Sequence, residues 1–185
     1  MQRLSLILSW FFGLALLALS LFVTAETVAR KLFNHSFQGA DELGGYVLAV
    51  GGALSFTVCL IERGHIRIDL LHDKLPPSIQ AILNWLATVL LGGFGLFLGY
   101  YCWLVVRDTM TYNSIAPTAW ATPMIYPQGI WYICLLFFSV TSVALAAIAT
   151  KRLLTGNLAA INKDFHPKGA LEELTEELSD IEQRR

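Results

Sequence analysis

Long stretches without a single Asp, Glu, Lys or Arg dominate the chain: residues 4–25, 43–61, 75–106 and 109–150. An α-helix rises about 1.5 Å per residue and the hydrocarbon layer is roughly 30 Å thick, so about 20 uncharged residues suffice to cross it. Four such intervals predict four membrane-spanning helices. Four helices buried in a soluble protein would carry charges on an outer face, and these do not. Glu26 and Arg30 stand four apart in the order that favours a helical ion pair, so the first helix is expected to continue to about Leu32. Asn34, Ser36 and Gly39 then mark a short loop, and Asp41 and Glu42 suit the positive dipole end of the second helix.

The second span ends at Glu62-Arg63-Gly64. In the stretch 65–75, Ile68, Leu71 and Leu75 share one helical face while Arg67, Asp73 and Lys74 lie elsewhere on the wheel. This pattern predicts a short amphipathic helix in the membrane interface, with a plain polar loop as the competing reading. Pro76 and Pro77 close the stretch and open the third helix. Residues 78–106 would form a helix about 43 Å long, which must tilt or project beyond the lipid. The last uncharged interval is too long for one span. Pro117 and Pro123 break its first half, leaving 112–126 as a structured loop, and Pro127 starts the fourth helix, over 127–150. The expected organisation is a membrane domain over 1–155 and a polar tail over 156–185. In the tail Leu171, Leu174, Leu178 and Ile181 recur at three- and four-residue steps among six acidic residues, the pattern of a short acidic amphipathic helix.

Composition agrees with an all-α integral membrane protein: 55% of residues are hydrophobic and 15% charged, against about a quarter charged in soluble domains. The net charge of -1 points to no nucleic acid partner. The distribution of Lys and Arg sets the orientation. With the N-terminus inside, the cytoplasmic side holds Arg3, Arg63, Arg67, Lys74, Lys151, Arg152, Lys163, Lys168, Arg184 and Arg185, and the outside only Arg30, Lys31 and Arg107. Both termini are therefore expected in the cytoplasm. Tyr100, Tyr101, Trp103, Tyr126, Trp131 and Tyr132 would form an aromatic belt at the outer interface. Val23-Thr24-Ala25 has the small residues of a cleavage site, but the 22 uncharged residues before it exceed the 7–15 of a signal core, so a retained first span is expected. Cys59, Cys102 and Cys134 all fall inside spans with neither zinc nor disulfide spacing and read as packing residues.

The span cores lack the buried ionisable groups typical of chains that move ions by themselves. All four histidines, His35, His65, His72 and His166, lie outside the spans, which disfavours axial haem ligation. His65, Asp69 and His72 would share one helical face and could in principle hold a metal, with Asp73 beside them. The alternative, interfacial polar residues interleaved with Arg67 and Lys74, is the stronger reading. Small residues carry another signal. Gly45, Ala49, Ala53 and Thr57 step by four along the second helix, and Gly92, Gly95 and Gly99 form a similar row on the third. In lipid such rows let helices approach closely. Three function classes stay open on these residues: an auxiliary transporter subunit, the membrane anchor of an oxidoreductase, and a membrane enzyme with a metal at His65/Asp69/His72.

The run Ala29-Arg30-Lys31-Leu32-Phe33-Asn34-His35-Ser36, then Ala40-Asp41-Glu42-Leu43 and a glycine-rich second span, resembles the small, DctQ-like membrane subunit of tripartite ATP-independent periplasmic (TRAP) transporters. So does Glu62-Arg63-Gly64-His65-Ile66-Arg67-Ile68-Asp69-Leu70-Leu71, closing with Leu75-Pro76. The similarity is strongest from about Arg30 to Pro77. The chain departs from the family's pattern at Lys31, where Tyr is frequent, and at Gly51-Gly52, where a bulky aromatic is common. The resemblance implies a small permease subunit, not an enzyme, in the bacterial inner membrane. Its partners would be a large multi-span membrane subunit, a periplasmic substrate-binding protein and membrane lipids. The substrate, an organic acid, and the coupling sodium ions would bind the large subunit, leaving this chain without a cofactor. By the same resemblance Arg30, Asp41, Glu42 and the 112–126 loop would face the binding protein. Gly45, Ala49 and Ala53 would pack against partner helices, and His65, Arg67 and Asp69 would lie at the inner interface.

Overall fold

The computed structural model describes residues 2–36, 38–61, 75–165, 175 and 178. Those residues form five α-helices: α1 (Gln2–Phe33), α2 (Ala40–Ile61), α3 (Pro77–Tyr112), α4 (Ile125–Leu154) and α5 (Leu158–Phe165). The first four are long and apolar enough to cross a membrane, over Ser9–Phe33, Ala40–Ile61, Pro77–Tyr112 and Ile125–Leu154. The all-α class and the number of long helices thus follow the hydropathy pattern. The expected interfacial helix over 65–75 falls almost wholly outside the described residues. So does the expected acidic tail helix, of which only Thr175 and Leu178 are described.

Helix ends differ from the sequence-based expectation in three places. Helix α3 does not stop at Val106 but carries Arg107 and Asp108 on to Tyr112, a length of about 54 Å. It stops there because Asn113 adopts a left-handed conformation (φ 48°) and the Ser114 N–H reaches back to the Thr109 carbonyl at 3.2 Å, which closes the last turn. Helix α4 begins at Ile125 rather than Pro127, because the Met124 carbonyl already accepts the Gln128 N–H at 3.1 Å. Pro127 sits within that first turn, where its missing donor costs no helical bond. Finally, α5 lies in the tail ahead of the expected acidic amphipathic helix, at a position where the sequence reading placed no element. Gly156 (φ 71°) ends α4 by donating to Leu153 O while the Asn157 N–H bonds Arg152 O, both at 3.0 Å. The Asn157 side chain then caps α5 by accepting the Ala160 N–H at 3.1 Å.

The chain divides into two compact units, one of Met1–Val58 with Phe94–Thr141 and one of Cys59–Gly93 with Ser142–Arg185. In the first, Ala53, Cys102, Cys134 and Leu135 make the buried centre, with Val50, Leu54, Trp131 and Tyr132 packed around it. Gly99 lets α3 approach α4: a Cβ there would sit 3.1 Å from Ser139 Oγ. That hydroxyl donates to Gly95 O at 2.7 Å, a bond from α4 to the α3 backbone. In the second unit Ala81, Ala149, Ile161 and Phe165 form the centre, so the apolar face of α5 is buried against α3 and α4. Asn162 anchors α5 to the start of α3 by donating to Pro77 O at 2.9 Å, and the buried Asn84 donates to Asn162 at 3.3 Å. Trp85 Nε1 donates to Thr150 Oγ1 at 3.0 Å. Apolar burial separates helices from lipid with little gain, so close packing and such interhelical bonds, worth about 0.6 kcal/mol each on average, hold the units together.

Candidate docking site

In the first unit a cluster of polar side chains surrounds two loops, 34–39 and 113–124. Gly39 opens α2, its carbonyl accepting the Leu43 N–H at 3.0 Å, which sets Asp41 and Glu42 in the first turn. There the exposed backbone N–H groups favour carboxylates. The two acids have different fates. Asp41 is exposed, whereas Glu42 is buried. One Glu42 oxygen accepts the Tyr46 hydroxyl at 2.8 Å from the next turn of α2, and the other accepts the Thr118 hydroxyl from the second loop. Tyr46 also lies 3.7 Å from Met124 Sδ. A buried carboxylate persists only when its lone pairs are met, and here hydroxyls meet them.

The second loop owes its shape to its own backbone. Ile115 and Pro123 form an isolated antiparallel bridge, with Ala116 N–H donating to Thr122 O at 2.9 Å and Met124 N–H to Ser114 O at 3.0 Å. At its tip Ala121 takes a left-handed φ of 49° and donates to Thr118 O. Trp120 lies against Gly39: a Cβ on residue 39 would be 2.0 Å from the indole Cζ2, so only glycine fits there. Glu42 and Gly39 therefore fix the loop from below at two points.

A second carboxylate anchors the first loop. Glu26 on α1 is buried, accepts the Arg30 guanidinium at 2.8 Å and takes the Ser36 hydroxyl at 2.5 Å. Ser36 Oγ in turn accepts the Gln38 N–H at 3.2 Å. Side-chain exposure is 3% for Glu26 and 62% for Arg30, so the pair offers its cation outward and hides its anion.

Of the residues expected to form an interface, Arg30 and Asp41 are exposed at this surface and Glu42 lies beneath it as a support. Gly45 and Ala49 are exposed, and nothing lies within 4 Å of a Cβ placed on Gly45. Ala53 is 2% exposed in the buried centre, and Thr57 is buried too, so that four-residue ladder divides into an outward and an inward half. The glycine of α2 in closest contact is Gly51, where a Cβ would fall 1.7 Å from Phe12 Cε2. The Phe12 ring of α1 thus supplies the aromatic bulk that residue 51 itself lacks. His65, Arg67 and Asp69 lie outside the described residues, as does the candidate metal group with His72; no group of three or more potential metal ligands occurs among the described ones. Tyr46, Thr118 and Trp120 were not singled out from sequence. The spacing Glu42-x-x-x-Tyr46 is a helical i,i+4 pair that could have been read, but the pairings with Thr118 and Trp120 are long-range and leave no local signal.

Four helices long and apolar enough to cross a membrane define the class, a membrane protein by length and composition. The sequence pattern of the tripartite ATP-independent periplasmic transporters, DctQ component, matches residues 19–155, well over half the chain, and the chain belongs to that family, the small permease subunits of TRAP transporters. A Haemophilus influenzae protein described as a TRAP transporter small permease is 26% identical over 149 residues, covering 77% of this chain and 83% of its own length. The family is a transporter component, not an enzyme family, and its tripartite system implies a partner membrane subunit and a periplasmic binding protein.

Proposed function

We propose that this chain is the scaffold-bracing and docking subunit of a sodium-coupled importer of an organic acid in the bacterial inner membrane. Both of its termini lie in the cytoplasm, and the loops 34–39 and 113–124 face the periplasm. The observation that carries the docking role is the Glu42 support: a buried carboxylate at the head of α2 holds a pre-shaped loop beside the outward-facing Arg30. A preformed surface loses less entropy when a soluble partner docks repeatedly. The bracing role is supported by α1, whose outward residues Leu6, Trp10, Leu14, Leu17 and Leu21 make an unbroken apolar stripe without ionisable groups. The outward half of the α2 ladder, Gly45 and Ala49, lets a partner helix come close. Substrate and sodium would then be handled by the large subunit, since these helices offer packing surface and no polar pathway.

The test is uptake by the assembled transporter with charge reversal at Arg30→Glu or Glu42→Lys. Both variants are expected to lower uptake while the two membrane subunits still copurify. Unchanged uptake in both would remove this surface from the docking site.

A further inference from the structure

In the second unit, α3 and α4 leave an open groove of about 580 Å³ lined by Val89, Val143, Ala146, Ala147 and Leu154, with Thr150, Lys151 and Thr155 at one end. We propose that this groove binds one anionic phospholipid, with its headgroup on Lys151 and an acyl chain along Val89, Val143 and Ala147. Three observations carry this. First, the lining is graded. From Val143 to Ala147 it is apolar and small, while Thr150 and Lys151 sit in the last turns of α4 and Thr155 directly follows its end, the order of an amphiphile with its polar end at the helix terminus. Val143 to Thr155 spans about 18 Å along the helix, the scale of one leaflet's acyl region and half the hydrocarbon thickness.

Second, the two neighbouring cations have divided their tasks. Arg152 is engaged within the protein: it pairs with Asp164 at 2.5 Å, donates to Ala160 O at 3.0 Å and lies 5.7 Å above the Phe165 ring. Lys151 makes no such contact among the described residues and stands exposed at the mouth of the groove. Third, the donor left for a ligand at the polar end is the Lys151 ammonium, since the Thr150 and Thr155 hydroxyls already donate to Ala146 O at 2.8 Å and to Arg152 O at 3.0 Å, and a lone exposed cation suits a phosphodiester better than another helix. A partner helix laid in the groove would need an acid opposite Lys151 in the interfacial region, whereas an anionic lipid brings its charge to that depth. The ammonium on its flexible stem can follow a headgroup as a point charge.

The experiment is native mass spectrometry of the full chain in mild detergent, titrated with phosphatidylglycerol or with phosphatidylcholine of the same acyl chains. The parent protein is expected to retain one phosphatidylglycerol more strongly than phosphatidylcholine. Lys151→Gln should reduce that preference about fivefold, the ratio corresponding to about 1 kcal/mol per cation near an anionic surface. Ala147→Phe, which fills an exposed part of the groove, should weaken both lipids while circular dichroism stays unchanged. Lys163→Gln, which removes a cation distant in sequence from the groove lining, should leave the preference intact. Equal retention of the two lipids by the parent would overturn the proposal, and so would an equal loss in Lys163→Gln. A photo-crosslinker at Ala147 that captures the large membrane subunit instead of lipid in the purified complex would assign the groove to that partner and overturn it as well.

Discussion

Glu42 shows how one residue can serve a surface without being part of it. Its carboxylate is covered, yet it joins the first turn of α2, Tyr46 and the 113–124 loop. Removing a single partner of a buried network leaves the others unsatisfied, so effects within it are not additive. The double variant Glu42→Gln/Thr118→Val is therefore expected to lower the thermal unfolding midpoint no further than the worse single variant; a summed loss would show that the two do not act through one bond. Gly39 is the complementary case. Any side chain there meets the Trp120 indole, so Gly39→Val should displace the loop, and Trp120→Ala should restore uptake to the Gly39→Val protein.

At the scale of elements, small residues mean different things on α2 and α3. Gly92 sits where a Cβ would come 2.8 Å from the Ala146 Cβ, so α3 and α4 close on each other there. Gly92→Leu is expected to destabilise by about 1–3 kcal/mol through overpacking, measured by unfolding in detergent. Gly45 has open space instead, so Gly45→Leu should leave the isolated chain's stability unchanged and reduce copurification with the large subunit. If Gly45→Leu copurified normally, the outward half of the α2 ladder would not be a partner contact. Helix α5 rests on Ile161 and Phe165, both buried. Ile161→Ala should cost about 2–5 kcal/mol, the range for truncating a fully buried aliphatic side chain.

At the scale of the whole molecule, the proposed orientation rests on ten Lys and Arg residues on one set of loops and ends against three on the other. Single cysteines introduced at Asn113 and Asn157, on a background with Cys59, Cys102 and Cys134 replaced, should react with an impermeant reagent from opposite sides of the membrane. Labelling of Asn157→Cys from the periplasm would invert the topology. The long apolar faces of α1 and α3 left outward are ordinary in lipid and also sufficient for a large partner, and the family to which the chain belongs supplies one.

Sequence alone determined the four long helices, because the cost of placing a charge in hydrocarbon writes the spans directly into the pattern of Asp, Glu, Lys and Arg. It also determined the Glu26–Arg30 pair, a local i,i+4 relation, and the family, through the Arg30–Pro77 motifs. The role of the glycines on α3 was legible as close packing, although not the neighbour each one meets. Only tertiary structure decided that Glu42 turns inward while Asp41 stays outward, that Ala53 is core while Gly45 is surface, and that α5 folds back onto α3 and α4. Each of these depends on which atoms from distant parts of the chain arrive beside the residue. The Gly156-Asn157 stop-and-cap signal and the 158, 161, 165 spacing were present for α5, but three apolar residues become a helix of fixed position only when Ala81 and Ala149 are there to receive them.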